Sequence, residues 1–390
     1  MFLYLLGFAS CAQYAFLYAG SSYFYNYRHQ ADIFTIYNQL LARGFTTSNI
    51  ALYAYDDIAT DFDNPFKGQV FHTVDHKTNV YPGSDAINVK KQGVTDQAFY
   101  DAITNLPTTN NDYVFIYYDN HGGPGILGTP NGYEINADKL AEAFNTASSS
   151  NLYKQCLFLI EACYSGSVAE VFTAPNLATI TAANNQESSY AAVYDSEIGT
   201  YLSNEFTNYF IAIIDENPSI SVGELYETLK KETQQSHVCY YGDESIQSVA
   251  LSTFIGTPTK FLSHKVDKSN LNLVKPHEAT IKSLQFFSEH EKAYIRSRAR
   301  LQLLRLKTQS KKLQIMLDLL VKYVDPKNYE KIMNDTESKI TPTYFEVLRV
   351  FSKKFGEMNP DDYGRLNVLK ALAATHSKAE IIQGIFAVIL

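Results

Sequence analysis

The sequence predicts an α/β fold, a mainly parallel sheet with helices on both faces, followed by a separate all-helical domain. Two observations carry this prediction. Between Tyr14 and about Pro258, apolar β-rich runs alternate with segments of helical spacing, the pattern of strand–helix–strand crossovers that return parallel to their start. Beyond Ala279 helix follows helix with no strand pattern, broken near Asp325-Pro326, Thr341-Pro342 and Asn359-Pro360.

The elements follow in order. Tyr14-Ala-Phe-Leu-Tyr-Ala19 is a strand ending at Gly20-Ser-Ser, and the next helix carries Ala31, Phe34, Ile36, Tyr37, Leu40 and Leu41 at its apolar positions and stops at Gly44. Ile50-Ala-Leu-Tyr-Ala-Tyr55 is the second strand, ending in Asp56-Asp57. Residues 61 to 93, punctuated by Pro65, Gly68, Pro82 and Gly83, read as a long loop. Thr95 is the N-cap of the next helix, because its hydroxyl can accept a first-turn amide that has no helical partner. The strand from Tyr113, the helix around Ala137-Asp-Lys-Leu-Ala-Glu-Ala-Phe, the strand from Cys156 and the strand Leu177 to Ala183 complete the alternation. Gly256 to about Pro276 is polar and aperiodic. The predicted organisation is a leader at 1–13, a catalytic domain at 14–258, a linker at 259–278 and a helical domain at 279–390.

With 390 residues, 45% of them hydrophobic and 19% charged, the chain can bury more than one core, and disorder is not its default state. Charge is unevenly divided. Residues 1–274 hold 13 Lys and Arg against 28 Asp and Glu, a net −15, whereas residues 275–390 hold 20 against 13, a net +7. These two parts should attract each other. The basic residues are interleaved with a helical apolar pattern, so they read as solvated helix faces and not as a nucleic-acid surface. The opening Met1 to Ala12 is apolar and ends in small residues, as in a secretory leader cleaved near Ala12 or Gln13, although a basic start is missing. No other run approaches the ~20 apolar residues of a membrane span. Past the leader, Cys156, Cys163 and Cys239 form an odd set that suits one free reactive thiol and builds no disulfide framework. No Cys or His cluster has metal-ligand spacing, and no cofactor is implied.

Two strands end on side chains that carry chemistry. Tyr113-Val-Phe-Ile-Tyr-Tyr-Asp-Asn-His121-Gly-Gly delivers an imidazole, and Cys156-Leu-Phe-Leu-Ile-Glu-Ala-Cys163-Tyr-Ser-Gly delivers a thiol. A crossover helix between parallel strands places both ends on one edge of the sheet, so His121 and Cys163 are predicted neighbours. An imidazole beside a thiol favours the thiolate, the form that attacks acyl carbons. The glycines after His121 admit substrate backbone, and the amides of Gly122 and Cys163 are candidate donors to an oxyanion. An inert buried thiol and a satisfied loop histidine are the other reading, which the matched strand-end contexts disfavour.

Longer runs sharpen the assignment. Tyr18-Ala-Gly-Ser-Ser-Tyr-Phe-Tyr-Asn26-Tyr-Arg28-His29-Gln-Ala-Asp32, Tyr55-Asp-Asp-Ile-Ala59, His121-Gly-Gly, Glu161-Ala-Cys163-Tyr-Ser-Gly-Ser167 and Ala182-Ala-Asn-Asn-Gln-Glu-Ser-Ser-Tyr190 together resemble the legumain family of asparaginyl endopeptidases, across residues 14 to about 256. The resemblance implies a caspase-like fold and cleavage of proteins or peptides after asparagine, with aspartate added at acidic pH. It implies Cys163 as nucleophile, His121 as general base and acid, and Asn26 as the partner of the histidine. It places Arg28, His29, Glu161 and Ser189 at the primary specificity pocket. A guanidinium and a carboxylate together satisfy both ends of a primary amide; a structural ion pair is the other reading of Arg28 and Glu161. Two positions depart from the family. Asn120 stands where an aspartate usually precedes the histidine, and Asn204 stands where a second pocket acid is usual, with Glu205 beside it as a substitute.

The helical domain takes the position of the family's prodomain, without the cysteines such domains often carry. The implied protein is a zymogen inhibited by its own C-terminal domain, opened by acid, and processed at Asn270 or Asn272. Cystatin-type inhibitors and a lysosome-like vesicle, the cell exterior or the cell surface are the further expectations. A GPI-anchor transamidase-like enzyme, which shares the Ala-Gly-Ser-Ser opening, a peptide ligase of the same fold, and an inactive secreted binding or adhesion protein remain as alternatives.

Overall fold

The computed structural model describes residues 12–131, 133–259 and 271–388. Most of the predicted leader, residues 1–11, and the candidate processing residue Asn270 lie outside them. Gln13, assigned to the leader, opens the first strand instead, and its side-chain amide donates to the carbonyls of Ser252 and Thr253 at 2.8 Å.

In chain order the N-terminal part contains β1 (Gln13–Ala19), α1 (Tyr27–Ala42), β2 (Ile50–Ala54), α2 (Asp96–Thr104) and β3 (Tyr113–Asp119). The short strands β4 (Gly122–Gly123), β5 (Ile126–Leu127) and β6 (Ile135–Asn136) lead into α3 (Ala137–Ser149), β7 (Gln155–Glu161), α4 (Gly166–Ala169) and β8 (Leu177–Thr181). Then come β9 (Ala191–Asp195), β10 (Thr200–Tyr201), α5 (Glu205–Glu216), α6 (Val222–Glu232), β11 (Cys239–Gly242) and α7 (Ser252–Ile255). The main sheet has the order β11-β8-β7-β3-β1-β2; all its pairings are parallel except β11 on β8. This is the expected mainly parallel sheet.

Alternation along the central strands explains why both faces need helices. Ala15, Leu17 and Ala19 of β1, with Phe115 and Tyr117 of β3, enter the cluster shared with Ala31 and Phe34 of α1. Their neighbours Phe16, Tyr18, Ile116 and Tyr118 enter the opposite cluster, against Phe99 of α2 and Phe144 of α3. Much of the chain's Tyr and Phe excess is spent here, filling the space between sheet and helix with tilted and edge-on ring contacts such as Phe16 with Phe99 at 5.0 Å. Thr95 caps α2 as expected, accepting from the Ala98 amide at 3.1 Å.

The C-terminal part departs from a simple linker and lid. Leu271–Val274 forms β12, which pairs antiparallel with β9 through Leu271 opposite Val193 and Val274 opposite Ala191. Helix α8 (Pro276–Ser288) therefore starts inside the expected linker, and α9 (Ala293–Val324), α10 (Tyr329–Met333), α11 (Pro342–Phe355), α12 (Asn367–Thr375) and α13 (Lys378–Val388) follow. The breaks fall where proline forbids helix continuation or suits a helix start, as at Pro342 behind its cap Thr341. The helices do not form a free-standing core. Leu284, Phe287, Ile295, Ala299 and Leu306 pack into the first sheet cluster, and Leu317, Leu320, Tyr344, Phe345 and Tyr363 into the second. Each large apolar side chain so buried contributes about 1.5–3 kcal/mol, so docking rests mainly on apolar area. Cutting the chain within 260–270 is expected to leave two pieces that co-elute in gel filtration at neutral pH; separation on cutting alone would contradict a shared core.

Candidate active site

The register between β3 and β7 sets the site. Asp119 pairs with Glu161, the last residue of each strand, and the Asn120 amide donates to the Glu161 carbonyl at 3.1 Å. Two residues further on each strand stand His121 and Cys163, both buried. Gly122 lies so close to the Cys163 backbone that a Cβ there would sit 2.3 Å from the Cys163 carbonyl oxygen, which only glycine permits. The chain then turns through Tyr164 at φ 56°, the left-handed region, held by its amide donating to the Glu187 carbonyl at 2.7 Å.

His121 is oriented from one side by Asn26. The Asn26 Nδ2 donates to the Ser22 carbonyl at 3.0 Å, which turns Oδ1 toward His121 Nε2 at 2.9 Å. An acceptor there makes Nε2 the protonated nitrogen and leaves Nδ1 basic. His29, expected in the specificity pocket, stands edge-on against the His121 ring at 5.0 Å and is tied through Nδ1 to the Ser21 hydroxyl at 2.8 Å. Burial, with the nearby Arg28 charge, holds both imidazoles well below the ordinary histidine range. Both are therefore neutral near pH 7.

The residues that the resemblance assigns to the pocket are held by contacts the sequence did not disclose. Arg28 is anchored by its Nε donating to Asn204 Oδ1 at 2.9 Å, while its two terminal nitrogens are buried without a partner. Glu161 is buried with both carboxyl oxygens unpartnered, so the two residues are not joined as a structural ion pair. Burial lifts the Glu161 carboxyl to about 8. Ser189 flanks the thiol, its carbonyl 3.9 Å and its hydroxyl 4.0 Å from Cys163 Sγ. Glu205, the neighbour of Asn204, is buried, with one carboxyl oxygen accepting from the Gln234 amide at 3.0 Å and the other without a partner. Asn120 is wedged between Gly20 and Gly128, donating to the Gly20 carbonyl, a packing position. Asn272 lies on β12, its side-chain oxygen accepting from the Tyr201 hydroxyl at 2.7 Å.

The residue that sequence reasoning missed is Asp361. It follows the Asn359-Pro360 break, and the turn that carries it lays Tyr363 on Gly123 and Gly364 on the Tyr164 ring. Asp361 is buried beside His121, its Oδ1 3.4 Å from His121 Nδ1, close enough to feel the charge but unaligned for a hydrogen bond. An acidic Asp361-Asp362 pair inside a basic segment was the one available signal. A cavity of about 520 Å³, walled by Asn26, His121, Thr129, Arg305 and Asp361, is left between the turn and the site. Among the described residues no cluster of His, Cys, Asp and Glu has metal-holding geometry.

Comparison with known proteins gives the lineage. The model of the peptidase C13 family matches residues 13–257. The chain belongs to the peptidase C13 family. It is 32% identical over 314 residues to the vacuolar-processing enzyme delta-isozyme of Arabidopsis thaliana, covering 71% of this chain and 66% of that protein. It is 32% identical over 258 residues to human legumain, covering 62% and 59% of the two chains. It is also 30% identical over 238 residues to the GPI-anchor transamidase of Saccharomyces cerevisiae, covering 57% and 58%. The chain thus spans about two-thirds or less of the length of these peptidase C13 relatives.

In this docked form the candidate nucleophile is quiet. Burial pushes the Cys163 thiol up to about 11, so at pH 7 it stays protonated. Alkylation of Cys163 by iodoacetamide in the intact chain is expected to rise with a midpoint near 11. Removing the C-terminal helices should wet the thiol and move that midpoint down by about 2 units, toward the ordinary value. An unchanged midpoint would show that the helices do not control the thiol.

Proposed function

We propose that the chain is a cysteine endopeptidase that cleaves after asparagine, held inactive by its own C-terminal helices and activated by acid and self-cleavage at Asn270 or Asn272. One observation carries the specificity: four buried polar atoms, two nitrogens on Arg28 and two oxygens on Glu161, face no partner in the chain. Buried polar groups are almost always satisfied, so two orphaned donors and two orphaned acceptors, on residues that the resemblance assigns to one pocket, suit a ligand presenting both. A primary amide fits, its oxygen taken by Arg28 and its N–H groups by Glu161.

The chemistry follows from the tautomer. With Nε2–H committed to Asn26, His121 Nδ1 takes the Cys163 proton, and the thiolate attacks the carbonyl after asparagine. The oxyanion is met by the amides of Gly122 and Cys163. The imidazolium returns the proton to the leaving amine, and water, activated by the same nitrogen, hydrolyses the thioester. Asp361 sits beside that nitrogen in the docked form, so the C-terminal turn blocks the base as well as the cleft.

Acid acts on the docked form with both signs. His121 is depressed by burial, so it binds a proton more readily once uncovered; docking is fully supported above the ordinary ~6.5 and weakened as pH falls below it. Protonation also dissolves the ion pairs of Arg298 with Asp61, at 2.7 Å, and of Arg349 with Asp138, at 2.7 Å. Asp63 opposes release, because burial raises it to about 6 while docked and proton uptake then favours the docked state. Asp63→Asn, which is neutral at every pH as protonated Asp63 is, is therefore expected to stay docked more firmly at neutral pH and to activate at a lower pH than the parent chain; activation shifted to higher pH would contradict this account. An acidic vesicle is the matching location, consistent with the vacuolar relative's name.

The reading is tested with short peptides differing only in Asn, Gln or Arg before the scissile bond, given to acid-treated chain with mass mapping of its C-terminal region. Cleavage after Asn is expected, lost in Cys163→Ala and lowered about a hundredfold or more in Arg28→Ala, because the site's remaining polar groups lose their partner. Equal cleavage of all three peptides would refute the pocket, and no cleavage by fully processed chain would refute the peptidase.

A further inference from the structure

Helix α9 is apolar on two sides. Its inner side, with Ile295, Leu306, Leu313 and Leu317, is spent on the two sheet clusters. The outer side is not the polar face that a docked helix should present. Leu301 and Leu304 stand 68% and 62% exposed, and Tyr294, Ile315, Leu319 and Tyr323 are exposed with them. At 3.6 residues per turn these six fall within about 100° of arc, roughly opposite the buried side, and run for about 44 Å along the helix. Thr308 and Lys312 occupy the middle of the same arc. A single exposed leucine is ordinary, but an ordered stripe of large apolar side chains on a folded chain marks a surface that something covers.

Charge says what covers it. Helix α9 carries eight Lys and Arg against one acid, Asp318. Arg298 and Arg305 are spent on Asp61 and Glu357, and Asp318 is itself neutralised by Lys322 at 2.9 Å. Arg300, Lys307 and Lys311 are exposed and hold no ion pair with any described residue. These three lie along one flank of the stripe, within about 60° of its edge. Residues 1–274 carry a net −15, so an anionic surface repels the rest of the chain and draws this face toward itself.

We propose that α9 docks the intact chain on an anionic lipid bilayer, lying in the plane of the headgroups with Leu301, Leu304, Ile315 and Leu319 among the upper acyl chains and Arg300, Lys307 and Lys311 on lipid phosphates. Apolar side chains beside unpaired cations are the two signals by which a helix holds to a charged membrane surface. A soluble polyanion would take the cations and leave the leucines in water. The cavities beside α9 are lined by Leu306, Lys307 and Lys311 and by none of the stripe's leucines, so the stripe is a ridge, which a fluid bilayer moulds around. No described helix is long and apolar enough to cross a membrane; the contact is peripheral, and the inner side of α9 keeps its place on the sheet. The proposal stands on this surface alone and not on the peptidase reading.

The test mixes intact chain at pH 7 with vesicles of phosphatidylcholine, alone or with about one-third phosphatidylserine, and separates them by flotation. Flotation is expected with the anionic vesicles at about tenfold or more above that with phosphatidylcholine alone. It should fall about tenfold or more in about 0.5 M salt, in Leu301→Ser/Leu304→Ser and in Lys307→Glu/Lys311→Glu. All four side chains are solvent-exposed, so both double variants should keep the parent's melting temperature and gel-filtration volume. The chain contains no Trp, so Leu304→Trp supplies a lone reporter whose emission should shift to the blue on anionic vesicles. No flotation, or an unshifted emission, overturns the proposal. Flotation undiminished in the leucine variant overturns it in favour of a general polyanion site. A concentration-dependent dimer of the intact chain that the leucine variant loses overturns it by giving the stripe to a second copy.

Discussion

The in-register parallel pairing of β3 with β7 is the constraint on which the rest depends. Because Asp119 lies opposite Glu161, the same offset that brings His121 to Cys163 also buries two acids side by side at the end of the sheet. Two buried carboxyls cannot both ionise cheaply. The structure answers with Arg28 from α1 and with Asn204 at the start of α5, whose amide bridges Asp119, Asp32 and the guanidinium. Slipping the pairing by one residue would turn every side chain of the strand to the opposite face, losing the candidate catalytic pair and the proposed specificity pocket together.

The C-terminal helices extend the same core. Their apolar residues enter both sheet clusters, whereas the ion pairs that cross to the N-terminal part are few and partly exposed, and such pairs contribute about 0–1 kcal/mol each. The opposite net charges of the two halves therefore tune the docking and do not create it. A lid held by apolar area is not shed by pH alone, so in the proposed activation chain cleavage would supply freedom and acid would weaken the polar contacts over the site.

Much of this was legible in the sequence where the determinants are local. Strand ends, helix caps and proline breaks are written in short runs, so β1, β3, β7, the Thr95 cap and the helices after Ala279 were readable, and parallel crossover logic alone predicted that His121 and Cys163 follow the ends of adjacent strands. Contacts between distant segments were not. The roles of His29 as a prop and of Asn204 as a hub depend on Ser21, Asp32 and Asp119 converging from separate elements. β12 escaped because four residues in a polar run carry too little pattern, and it exists because β9 offers an open edge. Asp361 was hidden for the same reason: nothing in its own neighbourhood says that its turn ends over His121.

The central claim is that one thiol, placed by strand register and covered by the chain's own C-terminal turn, is the nucleophile of an amide-reading pocket. A peptidyl electrophile ending in asparagine, incubated with intact and with processed chain and followed by mass mapping of the adduct, tests it most directly. The account predicts a single adduct on Cys163, formed by the processed chain and scarcely by the intact one. An adduct on Cys239, equal labelling of both forms, or equal labelling by the same electrophile ending in arginine would contradict it.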